Sequence, residues 1–418
     1  MNIAFISYEF PPDAAYGGIS TYVSQAARML SSRGHRVEVF TSSPSRAGSI
    51  VEDGVLVHRI LGSDHFSFPA AIGPPFANRH AAVGFDVLEG PEYGADALDA
   101  VRRVPDIPLV VKLHTPSFLL TAATYAGLRI TDPLRWRLLR GRIREYAVRR
   151  MKGTGAKWRY THKYALDIER DHTRDADEIA SPSKALAAIV TDAWQLVPNK
   201  VSHVPYPFVP DAALLNIPVG GSQGNVTFLG RLEVRKGVLD LARAIPIVLR
   251  ENANVKFRLI GPGDESPRNN IGMREYLAHK LRHYRESVEL LPPIANERLA
   301  DIFATTDVVV IPSVWENFAN VCLESMSAAR AIIASDAGGM AEMLDHGDAG
   351  RMIPPCDPSN FARAILELIA GPDLRCRLGE RARRRVLDEY NVDRICTIQE
   401  RSYERAIERR RMAGKRAI

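Results

Sequence analysis

The feature that most constrains this chain is an alternation that stops and then starts again. Short, nearly continuous apolar runs rich in β-branched residues come first: NIAFISY, RVEVFTS, VLVHRIL, FDVLEG, LVVKLH and EIASPS. Between them lie segments of helical period such as Ile19–Ser32 and Pro182–Trp194. A strand that is apolar on both faces needs cover on both faces. Runs of this kind joined by helices therefore predict a parallel, doubly wound α/β sheet. At Tyr206–Gly224, YPFVPDAALLNIPVGGSQG, the pattern dissolves into proline and glycine, as in a linker between domains. It then resumes with NVTFLG, a helix from Val238, VKFRLIG, SVELLPP, DVVVIPS and AIIASD. A chain of 418 residues is too long for one ordinary core. We expect two α/β domains in tandem, residues 1–208 and 209–390, followed by an amphipathic helix over 391–418.

Composition narrows the class. At 46% hydrophobic and 25% charged residues the chain is globular in type. No apolar run reaches the roughly 18 residues that cross a bilayer, and MNIAFISYEF lacks the parts of a signal peptide. The four cysteines, Cys322, Cys356, Cys376 and Cys396, are widely spaced and predict free thiols in a reducing, cytoplasmic setting. The histidines, His35, His58 and His80 among them, show no metal-ligand spacing. The formal charge of +6 is concentrated. Between Arg129 and Lys163 twelve Lys/Arg stand against two acids, Asp132 and Glu145, with Trp136, Tyr146, Trp158, Tyr160 and Tyr164 interleaved. Such a stretch is either a solvated helical face or a site for anionic headgroups or an acidic acceptor. No nucleic-acid module accompanies it.

In an open α/β sheet, ligands bind beyond the carboxyl ends of the strands. In the second half those ends carry GRLEVRKG (Gly230–Gly237), GPGD (Gly261–Asp264), WENFAN (Trp315–Asn320) and DAGGMAE (Asp336–Glu342). Glycines, cations and carboxylates so placed suit a phosphorylated, hydroxyl-rich ligand. Arg231 and Lys236 could neutralise a diphosphate, the first as a fork and the second as a point charge; alone, each would be an ordinary solvated loop cation. Gly261-Pro-Gly263 lacks the third glycine of a dinucleotide fingerprint, although Gly263 still sits on the ligand edge. Gly338-Gly339 reads as a tight turn before a helix. In the first half, Gly17-Gly18 precedes a helix after the first strand, where backbone can approach a ligand closely. His114 ends the strand VVKL, again on the ligand edge.

Glu316 and Glu324 pose a sharper question. On one helix, eight residues separate two side chains by about 12 Å along the axis and roughly 80° around it. Glycosidase carboxylates stand only about 5–9.5 Å apart, so this spacing does not suit a hydrolytic acid/base pair. With the first glutamate in a loop and the second inside the following helix, the helix start at Asn317–Val321 lies between them. Its unpaired N–H groups and positive dipole end suit a phosphate there.

Taken in order, Gly17-Gly18, His114, GRLEVRKG with Arg231 and Lys236, and Glu316-x7-Glu324 behind a buried strand resemble glycosyltransferase family 4, of the GT-B fold. The resemblance runs over nearly the whole chain. It implies two Rossmann-like domains facing across a cleft, the first for the acceptor and the second for a nucleotide-sugar donor, with the last helix crossing back to the first. It also implies roles. Arg231 and Lys236 would bind the donor diphosphate, Glu316 with the backbone of Asn317, Phe318, Ala319 and Asn320 the sugar hydroxyls, and Glu324 the ribose. His114 would contact the donor sugar near the reacting carbon, and Gly17-Gly18 would border the diphosphate and acceptor. Members retain anomeric configuration and usually need no metal. The segment Glu316-Asn-Phe-Ala319-Asn320 departs from the Gly, Ser or Pro often found there.

The expected activity is transfer of a hexose from a UDP- or GDP-linked donor to a hydroxyl of a glycan, lipid-linked sugar or small molecule, forming an α-glycosidic bond without a resident cofactor. An epimerase on the same scaffold would need further acid/base residues around the sugar. A non-catalytic sugar-binding subunit would not need the charged set at 231, 236, 316 and 324. The basic stretch 129–163 adds an expectation of peripheral contact at the inner face of a membrane.

Overall fold

A computed structural model describes residues 1–14, 17–128, 168–221, 223–263, 266–267 and 271–416. The basic stretch 129–163 lies outside them. The chain divides into two compact units. One comprises Met1–Phe118, Ala156–Val209 and Tyr390–Ile418; the other comprises Leu119–Gly155 and Pro210–Glu389. The units are thus not two contiguous blocks of sequence. Leu128, upstream of the proline-rich segment, belongs to the hydrophobic core of the second unit.

The first unit is built on eight strands: β1 (Asn2–Ile6), β2 (Arg36–Ser43), β3 (Gly48–Glu52), β4 (Val55–Leu61), β5 (Val87–Pro91), β6 (Leu109–Lys112), β7 (Glu178–Ser181) and β8 (Val201–His203). Their order is β3-β4-β2-β1-β5-β6-β7-β8. All pairings are parallel except β3 with β4. Six of these strands were legible as apolar runs. The exposed edge strand β3 and the three-residue β8 were not, because neither carries a continuous apolar face. The β3–β4 hairpin turns at Asp53-Gly54, both at positive φ, the conformation a two-residue turn requires.

The helix Gly18–Ser32 follows β1 and buries Tyr22, Val23, Ala26 and Leu30. The last helix, Val392–Arg416, docks on the same sheet through buried polar groups. Gln399 and Tyr403 donate to the Glu89 carboxylate at 2.8 and 2.9 Å. Arg405 and Arg409 pair with the buried Glu178 on β7.

The second unit carries a wholly parallel sheet of β9 (Asn225–Leu229), β10 (Lys256–Ile260), β11 (Val288–Leu291), β12 (Val308–Ile311), β13 (Ala331–Ser335) and β14 (Arg351–Ile353). Its order is β11-β10-β9-β12-β13-β14. Val226, Phe228, Val308, Val310 and Ile333 from the sheet pack with Leu241, Ile245 and Val248 of the helix Val238–Glu251, and with Phe361 and Ile365 of the helix Pro358–Ala370. These residues fill one face of the sheet, and Val309, Ile311, Ile332 and Ala334 on the other are buried as well, which is the two-faced burial that the apolar runs predict. Among the described residues no helix is long and apolar enough to cross a membrane.

Strand order decides where a ligand can sit. From β9 the chain moves to β10 on one side and reaches β12 on the other, so the connections leaving β9 and β12 diverge and open a crevice. In the first sheet the same divergence falls between β1 and β5.

Candidate functional site

In the second unit the crevice is walled by the loops after β9 and β12. The first, Gly230–Gly237, ends in a 3-10 turn at Val234–Lys236. Gly237 has φ +72°, and a Cβ there would stand 1.8 Å from the Pro312 carbonyl oxygen. Only glycine lets the two loops come this close, and Val314 N–H donates to the Arg235 carbonyl at 2.8 Å to join them. The helix Val238–Glu251 then starts without a capping side chain, as does the helix Asn320–Ser327 after Ala319. Two helix N-termini with uncapped N–H groups thus follow the two divergent strands, an arrangement suited to an anion.

The charged groups meet here. The Lys236 ammonium donates to the Glu316 carboxylate, Ser313 Oγ donates to the same oxygen at 3.3 Å, and Arg235 stands 3.9 Å from it. Burial alone would raise Glu316, but Lys236 and Arg235 hold its carboxyl below the usual carboxylate range. Burial holds Lys236 below the usual lysine range, with Arg235 acting the same way and Glu316 opposing. Arg235 also donates to Glu233 at 2.6 Å. Arg231, with 46% of its side chain exposed, stands 3.6 Å from Glu233. Three cations face two carboxylates, leaving excess positive charge at the crevice.

Glu316 is held by its backbone as well. Gly339 N–H donates to the Glu316 carbonyl at 2.9 Å, and Gly338 (φ +79°) lies so close that a Cβ there would stand 2.1 Å from that oxygen. Asn317 and Phe318 lie in the loop and the helix begins at Asn320, within the range 317–321 expected from sequence. Glu324 is the fifth residue of that helix, and burial pushes its carboxyl up to about 7. Its carboxylate has no hydrogen-bond or ion-pair partner among the described residues. Gly263 is bridged to Leu232, which places it beside the loop after β9.

The first unit holds the other expected positions. Gly17 is the N-cap of Gly18–Ser32 in extended backbone. A Cβ on Gly17 would meet only Glu9 Oε2, at 3.9 Å, and one on Gly18 would meet nothing within 4 Å. Neither packing nor φ explains these two glycines. His114 is buried just beyond β6. Its N–H donates to both oxygens of Glu92 at 2.8 Å, its ring stands 5.2 Å from Tyr22, and Nδ1 is 2.6 Å from the Tyr206 hydroxyl. Burial, then the charge of Lys112, holds His114 well below the usual histidine range, so the ring is neutral. Burial raises Glu92 to about 8 and lowers Lys112 to about 7.

Sequence reasoning named the principal charged residues and the tight turn at Gly338-Gly339, but missed Arg235, Ser313, Gly237 and Tyr206. For Gly237 the signal was present: it stands between a strand and a helix. Arg235 gave no signal, since its neighbour Arg231 looks equivalent until burial is known. Among the described residues no three His, Cys, Asp or Glu side chains cluster as a metal site.

Comparison with known proteins gives the class. Residues 16–211 match the family described as Glycosyltransferase Family 4, and residues 223–371 match Glycosyl transferases group 1. The fold is that of sucrose-phosphate synthase from Thermosynechococcus elongatus, with a TM-score of 0.72 at 21% identity over 96% of this chain and 98% of that one. It is also that of Anabaena HepE in complex with UDP-glucose, with a TM-score of 0.67 at 15% identity over 97% and 99%. The D-inositol 3-phosphate glycosyltransferase of Pseudarthrobacter chlorophenolicus is 24% identical over 96% of this chain and 93% of its own length. The two Rossmann-like units have the GT-B fold. The chain belongs to glycosyltransferase family 4.

Proposed function

We propose that the chain is a retaining hexosyltransferase that moves a sugar from a UDP- or GDP-linked donor to a hydroxyl acceptor, forming an α-glycosidic bond. The observation that carries this reading is the Lys236–Glu316 pair, set at the switch point of the second sheet between two uncapped helix N-termini. A donor diphosphate there meets the exposed Arg231 guanidinium as a bidentate partner. Lys236 has three N–H donors, so it can hold a phosphate oxygen without releasing Glu316. As the glycosidic bond breaks, negative charge grows on the departing diphosphate, and these fixed cations stabilise it. That charge is met by protein cations, so the reading requires no divalent metal.

Glu316, kept ionised by Lys236 and Arg235, accepts from sugar hydroxyls, and the loop Asn317–Asn320 lines the sugar beside it. The partnerless Glu324 carboxylate accepts from the ribose. Gly17 and Gly18, glycines with no steric reason inside the chain, leave room for ligand against the backbone, and His114 contacts the donor sugar. The UDP-glucose held by Anabaena HepE supports a nucleotide-sugar donor, and the inositol phosphate glycosyltransferase supports a hydroxyl acceptor.

The test is a thermal-shift screen of UDP- and GDP-hexoses followed by product analysis with hydroxyl acceptors. A bound donor at about 100 times its dissociation constant should stabilise by roughly 2.7 kcal/mol. Absence of stabilisation by every nucleotide-sugar would sink the reading, as would formation of an epimer with no acceptor present.

A further inference from the structure

The register between β5 and β6 runs out at Pro91 and Lys112. One further backbone bond follows, from the Glu92 N–H to the Lys112 carbonyl at 3.2 Å. In a parallel ladder the next bond would run from the His114 N–H to the Glu92 carbonyl. That carbonyl is turned elsewhere: it accepts from the Ala95 N–H at 3.0 Å, where the chain enters the turn Tyr93–Ala95. The Glu92 side chain takes its place, and both carboxyl oxygens lie 2.8 Å from the His114 N–H. The carboxyl thus supplies the rung that its own backbone gives up.

Glu92 and His114 are both buried, so an N–H left unpaired here would be costly. On the other side the strand end is held by β7, through the Leu113 N–H and the Ala180 carbonyl at 2.9 Å. The stretch after β5 repeats the device toward β1. Asp96, also buried, accepts from the Tyr8 N–H at 2.7 Å. In the order β1-β5-β6, two carboxyls that follow the middle strand therefore hold the chain just beyond each neighbour. Burial raises Glu92 to about 8, against the His114 bond, so its acid form is populated at neutral pH. A neutral carboxyl still accepts from an N–H through its carbonyl oxygen.

We propose that Glu92 is a positioning residue for His114, its carboxyl replacing a backbone rung so that the histidine is held at the ligand edge of the first sheet. The task is acceptance of one N–H and requires no charge. The kinetic consequence rests on the contact proposed between His114 and the donor sugar; the clamp itself is a property of the unliganded protein.

The test pairs hydrogen exchange of the full chain, read by mass spectrometry on peptides spanning 111–117, with steady-state kinetics. Glu92→Ala should speed exchange at His114 about tenfold while peptides from β2 keep their rates, and should lower kcat about tenfold, the upper range for one lost hydrogen bond. Donor KM should stay within about twofold, because the diphosphate contacts are untouched. Glu92→Gln, which keeps an acceptor oxygen, should restore both exchange and kcat. In a His114→Ala background, Glu92→Ala should leave kcat unchanged, since a residue acting through another adds nothing once that one is gone. If Glu92→Ala does not fold, Glu92→Asp keeps the acid but shortens its reach, and must likewise speed exchange at His114. Unaltered exchange at His114 would overturn the proposal. So would a Glu92→Gln variant as impaired as Glu92→Ala, which would make the carboxylate itself the active group, and so would additive losses in the double variant. Faster exchange in Glu92→Ala with full kcat there and in His114→Ala would overturn the kinetic part and remove His114 from the proposed function, leaving the donor reading to stand on its own test.

Discussion

Two residues on the same loop illustrate how far local chemistry can be separated from burial. Arg231 and Lys236 look alike as charges, yet Lys236 is bonded to Glu316 while Arg231 is largely in solvent. Replacing Lys236 with alanine removes a cation already desolvated and aimed, and kcat/KM should fall about 10²–10³-fold. Arg231→Ala should cost less and should be more salt-sensitive, since exposed charges are screened. Equal losses from the two substitutions would contradict this. Glu324 makes a pH prediction. Burial pushes its carboxyl up to about 7, so it is partly protonated at neutral pH, and in the proposed ribose-binding role only the ionised form could accept from both hydroxyls. Donor affinity should therefore rise with pH through about 7, and Glu324→Gln should flatten that dependence. Donor KM measured from pH 6 to 8 decides it.

At the scale of elements, the site depends on glycines that let loops touch. The turn at Gly338 combines φ +79° with contact against the Glu316 carbonyl. Gly338→Ala should cost about 1–3 kcal/mol of stability from backbone strain alone, and donor KM should rise because Glu316 must move. Urea unfolding and donor KM measured together test this; a variant with unchanged values in both would show that the turn does not hold Glu316. These glycines were visible in sequence as punctuation between strand and helix. Their purpose was not, because the atoms they make room for, the Pro312 and Glu316 carbonyls, belong to loops separated in sequence by 75 and 22 residues. The strand ends carrying Arg231, Lys236 and Glu316 were legible for a simpler reason: a strand buried on both faces has an unmistakable apolar run, and the charge begins where the run stops.

At the scale of the whole molecule, the last helix completes the first unit. It supplies Gln399 and Tyr403 to the buried Glu89, and Arg405, Arg409 and Arg410 to Glu178 and Asp177. A buried carboxylate stripped of its partners is costly. Truncation before Tyr390 should leave the first unit unable to fold cooperatively, read as an early, broad thermal transition. The milder Tyr403→Phe should cost about 1 kcal/mol, one hydrogen bond to a buried acceptor. A truncated chain with an unchanged melting profile would refute this dependence.

The sequence by itself determined the alternation, hence two doubly wound sheets that are parallel apart from the β3 edge, and it placed glycines, cations and the two glutamates at strand ends, because these are consequences of period and of burial on both faces. Only the tertiary structure decided which of those ends share a crevice, since that depends on strand order and not on any one strand. It also decided which charges are desolvated and paired. Lys236 and Glu316 lie 80 residues apart and Tyr206 and His114 lie 92 apart, and no local pattern encodes either contact.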